Sequence, residues 1–121
     1  MSNHPIAHIE IPVINPNEAG TFYHDVFGWK IETNLAHNYV TFEAEGGLRG
    51  GFAGPAEPTY KQESLLVYLA TDDIEATLAT IEAHGGKTEI PKTEIPHIGW
   101  WAVFSDPAGN RLGLFISARH A

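Results

Sequence analysis

Cysteine is absent from the 121-residue chain, which excludes disulfides, thiolate metal sites and cysteine nucleophiles but leaves the redox compartment open. Positive charge is scarce as well. Seven Lys and Arg stand against fifteen Asp and Glu, for a formal charge of −8. The basic residues are scattered, so no cationic stripe exists to neutralise a phosphate backbone, and nucleic acid is not an expected partner. Long apolar runs are missing too. The longest, Leu65 to Ala70, falls far short of the roughly 20 residues that cross a bilayer. Met1-Ser-Asn-His-Pro5 has neither the basic start nor the apolar stretch of a signal peptide. These readings predict a soluble protein with no membrane partner, with the cytoplasm as its default location. Phosphate loops are lacking, because Gly46-Gly47 and Gly50-Gly51 precede or sit in strands and open no helix. No serine nucleophile has a base in its local context.

What is present is a regular alternation of patterns. Hydrophobic residues make up 43% of the chain, enough for a single domain to bury a core without a structural metal. From Ile6 to Val13, Ala7, Ile9, Ile11 and Val13 alternate with His8, Glu10 and Pro12, the period of a half-buried strand. Asn15-Pro-Asn-Glu18 supplies a helix cap and start; Ala19, Phe22, Tyr23, Val26 and Phe27 then recur at helical spacing until Gly28 ends the helix. Strands are predicted over Trp29–Thr33, Asn38–Ala44 and Leu48–Gly54, the last after a Gly46-Gly47 turn. Ala56 to Glu63 contains Pro58 and shows no apolar period, so it reads as a connection.

The pattern then restarts. Leu65–Ala70 reads as a strand; Thr71-Asp72-Asp73 caps a helix carrying Ile74, Leu78 and Ile81, and Gly85-Gly86 terminates it. Lys87–Ile90, Trp100–Ser105 and Arg111–Ile116 complete the strands, the last two joined by the Asp106-Pro-Ala-Gly109 turn. Placing Gly28 over Gly85 superposes Glu18-Ala19 on Glu75-Ala76 and Lys30 on Lys87, a repeat of about 57 residues. The expected fold is α+β: two βαβββ modules, about 5–55 and 64–117, in one domain spanning 1–121. Together they would form a cupped eight-stranded mixed sheet with helices on its convex face.

Several stretches carry a family resemblance: the His8-Ile-Glu-Ile-Pro12 strand, Phe22-Tyr-His-Asp-Val-Phe-Gly28-Trp29, Asp72-Asp-Ile-Glu-Ala76, His84-Gly-Gly86 and Phe104-Ser-Asp-Pro-Ala-Gly109-Asn-Arg-Leu112. Over nearly the whole chain this resembles the vicinal oxygen chelate superfamily, which includes glyoxalases, bleomycin-resistance proteins and extradiol dioxygenases. The resemblance implies a divalent metal held by one His or Glu from each of four strands, and a tendency to dimerise. Here the sequence departs from the family. His8 stands at the first-strand ligand position, but Leu66 falls where the family has histidine and Gly113 where it has glutamate; Leu48–Gly54 offers no ligand. One imidazole does not fix a catalytic ion, which generally needs about three protein ligands. The wording is most similar to the metal-poor branch related to lactoylglutathione lyase, so no cofactor is expected and a weakly bound divalent metal at His8 is disfavoured.

Strand alternation assigns the concave face. If Val40 and Phe42 pack on a helix, Tyr39, Thr41 and Glu43 join His8 and Glu10 there; if Leu65, Val67, Leu69, Leu112, Leu114, Ile116, Trp100, Ala102 and Phe104 face outward, then Leu66, Tyr68, Gly113, Phe115, Trp101 and Val103 face inward. The candidate substrate-binding residues are therefore His8, Glu10, Glu43, Tyr68, Trp101 and Phe115, with no catalytic residue assigned. His8 and Glu10 would lie roughly 7 Å apart by strand rise. His8 reads either as an acid, base or ligand donor or as a relic of a metal site. Glu10 and Glu43 are either an acid–base pair or rim carboxylates, and Trp101 and Phe115 either stack on a planar ligand or merely pack. His4, His24, His37, His84 and His120 read as solvated; Pro96-His97-Ile98-Gly99 reads as a flexible loop able to close over the cup. The expectation is a small-molecule binder with a partly apolar or aromatic ligand. The alternative is a lyase, isomerase or dioxygenase-type enzyme using His8 with Glu10 or Glu43, and a homodimer is compatible with both.

Overall fold

A computed structural model describes residues 3–34, 39–61 and 64–120, the last without the His120 side chain. His37, Asn38 at the start of one predicted strand, and Gln62-Glu63 of the connection lie outside the described residues. Among the described residues eight strands and two α-helices follow in the order expected, βαβββ twice over. Two compact units emerge, His8–Leu66 and a second running from Val67 that also takes in the stretch before His8.

In the first unit, β1 (Ile6–Pro12), α1 (Pro16–Phe27), β2 (Lys30–Asn34), β3 (Tyr39–Glu43) and β4 (Arg49–Ala53) give the strand order β2-β3-β4-β1. β1 runs parallel to β4, and the other pairs are antiparallel. The helix starts where the sequence says it should. Asn15 caps it by accepting from the Glu18 amide, and Gly28, at φ 75°, closes it with its amide on His24 O. Only glycine adopts that left-handed conformation at little cost. The α1 side of the sheet is apolar: Val40, Phe42 and Phe52 form its buried centre, with Ile9, Ile11, Val13, Ala19, Tyr23, Trp29 and Ile31 around them. Trp29 stacks between Tyr23 and Phe42, so it belongs to this core and not to β2, where the sequence reading had placed it.

The second unit repeats the plan. β5 (Leu66–Ala70), α2 (Ile74–Ala83), β6 (Lys87–Ile95), β7 (Gly99–Ser105) and β8 (Arg111–Ser117) give the order β6-β7-β8-β5, with β5 parallel to β8. Asp73 caps α2 by accepting from the Ala76 amide. Ile74, Leu78, Ala102, Phe104, Leu114 and Ile116 form the core, and Leu69, Ile81, Trp100 and Leu112 pack on it. Asp106 accepts from the Ala108 and Asn110 amides, and these bonds, Asn110's above all, hold its carboxyl below the usual range.

Three expectations are corrected. Leu65 does not face a helix: it precedes β5 and is 57% exposed. The strand expected to stop at Ile90 continues to Ile95, with register shifts between Thr88 and Ile90 and between Ile90 and Thr93; bulges absorb Pro91, which gives a ladder no N–H. The Pro96–Gly99 segment is therefore the tight turn of the β6–β7 hairpin. It is pinned by Ile98 N–H to Ile95 O and Ala118 N–H to Ile98 O, with His97 at φ 69°. Among the described residues no helix is long and apolar enough to cross a membrane.

Candidate functional site

The site begins with a glycine. Gly51 on β4 lies between Glu10 on β1 and Thr41 on β3, and a Cβ at Gly51 would fall on the Tyr39 ring and hydroxyl. Without that Cβ, Tyr39 lies across β4 and its hydroxyl reaches β1. Tyr39 donates to Glu10 Oε2 at 3.0 Å, and His8 Nε2 lies 3.2 Å from the same hydroxyl. The phenol's one proton goes to the carboxylate, so its oxygen accepts from His8, which fixes the Nε2–H tautomer. On the far side of Glu10, Thr59 donates to Oε1 at 2.5 Å. The result is a one-directional chain, His8 to Tyr39 to Glu10, met by Thr59.

Glu10 is 7% exposed and Thr59 equally buried. Among the described residues the one ion pair is Arg49 with Glu43, so neutral donors, not a cation, balance the Glu10 carboxylate. Burial drives the His8 pKa down to about 4, so the imidazole is neutral at physiological pH. Glu57, two residues before Thr59, is pushed up by burial and then by the charge of Glu10.

The sequence-derived candidates divide into groups. His8 and Glu10 are joined through Tyr39. Glu43 is not part of that network: it pairs at 3.8 Å with the exposed Arg49 where β3 ends and β4 begins, and is itself partly exposed. In the second unit Tyr68 lies opposite Gly113, with its ring where a Gly113 Cβ would be, and Gly113 pairs with the fully buried Val103. Trp101 and Phe115 are register partners on β7 and β8, both half-buried. His4, His24 and His84 each bond a backbone carbonyl through Nδ1 on exposed surfaces. Thr59 and Glu57 were missed by the sequence reading, because the connection carries no periodicity. The only available hint was a threonine and a glutamate flanking Pro58, which is weak. A separate apolar groove of about 440 Å³ lies along α2, floored by Leu69, Phe104 and Leu114.

The residues present do not fit the four-strand metal set. Among the described residues no group of three or more His, Asp or Glu is placed to hold an ion. Leu66 is buried and aliphatic. The Tyr68 ring fills the space over Gly113 that a glutamate would need, and among the described residues no buried side-chain N or O lacks a partner.

A profile of the Glyoxalase/Bleomycin resistance protein/Dioxygenase superfamily matches residues 5–114. The chain belongs to this superfamily. It is 32% identical over 113 residues to a glyoxylase-like domain-containing protein of Didymella fabae, covering 87% of this chain and 88% of that one. It is 31% identical over 104 residues to the anthracycline biosynthesis protein DnrV of Streptomyces peucetius, covering 73% of this chain but 38% of the relative, so it spans well under half of that protein. Its fold matches methylmalonyl-CoA epimerase from Mycobacterium tuberculosis with a TM-score of 0.71 at 14% identity, covering 98% and 93% of the two chains. The α+β fold of paired βαβββ modules is thus the superfamily's own.

Proposed function

We propose that this glyoxalase-like protein binds a small, partly apolar or aromatic molecule without a catalytic metal, using the sheet face that carries His8, Tyr39 and Glu10. One observation carries the reading: the two strand-one residues best suited to hold an ion are committed to a tyrosine and a threonine. In the other unit, considered by itself, the register partners Trp101 and Phe115 are half-buried aromatics of the kind that small-molecule sites use. Glu43 is a rim residue in this reading. A homodimer remains part of the proposal, supported by the exposed Phe22, Val26 and Phe27 of α1.

The test is a thermal-shift panel of planar aromatic compounds, including an anthracycline because of the named relative, with and without Ni, Zn, Mn and Fe. Binding at a hundred times Kd adds about 2.7 kcal/mol of stability. The expected result is stabilisation by at least one compound, unaffected by metal and reduced in Glu10→Gln. Stabilisation that requires a metal would reject the reading.

A second reading, an enzyme of lyase or isomerase type, has its own support: His8 is neutral at physiological pH and therefore already in its base form. Deuterium uptake from solvent into a bound compound, lost in His8→Phe, is its signature.

A further inference from the structure

Residues 54–61 form no strand and are organised as successive turns, with Glu57 N–H on Gly54 O and Tyr60 N–H on Glu57 O. Pro55 and Pro58 supply no N–H to any sheet. From this otherwise turn-built segment one side chain enters the core of its unit: Thr59, whose hydroxyl is spent on Glu10. On the same segment the Glu57 carboxyl is pushed up by burial and then by the charge of Glu10. Among the described residues, the side-chain hydrogen bond that ties the segment to the sheet is the one from Thr59 to the Glu10 carboxylate of the candidate site.

Glu10 is where the donors of the cluster end. His8 gives its proton to Tyr39, while Tyr39 and Thr59 give theirs to Glu10. No cation pairs with the carboxylate among the described residues. A carboxylate accepts and does not donate, so an anionic group arriving here meets repulsion, whereas a hydroxyl or ammonium group can replace the Thr59 hydroxyl one for one. Building on the binding function proposed above, we infer that Thr59 latches segment 54–61 onto Glu10, and that a ligand takes the site by displacing this latch with a hydrogen-bond donor of its own. The ligand class is thereby narrowed to molecules that join an apolar body to an alcohol or amine.

Two measurements test this. In the first, amide hydrogen exchange is read at Glu57 and Tyr60 in the unliganded protein. A hydrogen bond to a charged group is typically worth 1.5–3 kcal/mol, so Thr59→Val and Glu10→Gln should each speed exchange by about tenfold or more. Thr59→Ser should restore protection. The double variant should be no faster than the quicker single one, because both act on the same hydrogen bond, Thr59→Val by removing its donor and Glu10→Gln by removing the charge of its acceptor. Exchange is compared with that of the Phe42 and Phe52 amides, at the buried centre of the same unit, which report its unfolding. Unchanged exchange at Glu57 and Tyr60, or acceleration equal to that at Phe42 and Phe52, overturns the latch.

In the second, naphthalene probes bearing an aminomethyl, a hydroxymethyl or a carboxylate group are titrated. The amine and the alcohol are expected to bind, to accelerate exchange at Glu57 and Tyr60, and to bind more tightly to Thr59→Val; the carboxylate is not. Equal binding of the carboxylate overturns the inference while leaving the binding function intact. Failure of all three probes counts against both the inference and the binding function, whereas latch exchange alone remains a property of the empty protein.

Discussion

His8 is the residue on which composition and environment disagree most. As a free side chain it titrates near neutrality, but burial has moved its pKa to about 4. The unfolded chain therefore binds a proton that the folded chain refuses between pH 6.5 and 4. The stability this contributes is complete above about pH 6.5 and falls as pH drops through that window, by up to about 1.4 kcal/mol per pH unit. Chemical denaturation of His8→Phe across this range should show a shallower decline than the parent, and parallel curves would refute the assignment. Glu57 has the opposite sign. Its carboxyl is raised by burial and by Glu10, so its charged form costs stability as pH rises through its folded pKa. Glu57→Gln should be more stable than the parent at pH 7, with the difference disappearing on acidification.

At the scale of elements, bare strand positions decide what the strands can carry. Gly51 lets Tyr39 cross β4, and Gly113 leaves room for Tyr68 beside β8. Gly51→Ala should cost about 1–3 kcal/mol, the usual range for overpacking, and should separate Tyr39 from Glu10; the loss of the Tyr39 hydroxyl resonance shift in NMR would report this. A variant of unchanged stability would mean that the ring has room the structure denies it. Gly28→Ala, where φ is 75° and no neighbour lies within 4 Å, should cost about 1 kcal/mol from backbone strain alone, and no site effect is expected. The helices, their Asn15 and Asp73 caps and the hairpin turns were legible because each is a local device. The extent of β6 was not, because Pro91 reads as a stop locally, while β7 supplies a partner that tolerates bulges.

For the whole molecule, the repeat is the controlling fact. Both units place the first strand of the module parallel to the last, and each buries one sheet face under its own helix. On α1 the opposite side stays open, with Phe22, Val26 and Phe27 each more than half exposed. If that face is the dimer surface, sedimentation should give a dimer for the parent and a monomer for Phe22→Glu with Val26→Lys, without loss of folding. A parent that sediments as a monomer at all concentrations disposes of the idea.

The sequence by itself determined the order of elements, their caps and which face of each strand is apolar, because periodicity and capping act over a few residues. It also shows that Leu66 and Gly113, where the resemblance places the family's histidine and glutamate, carry no ligating side chain. Tertiary structure alone decided that Glu10 is met by Tyr39, 29 residues away, and by Thr59, 49 residues away. It also decided that Glu43 pairs with Arg49 across β3 and β4. Register across three strands and the path of a segment without periodicity bring these groups together, and neither leaves a mark on local sequence.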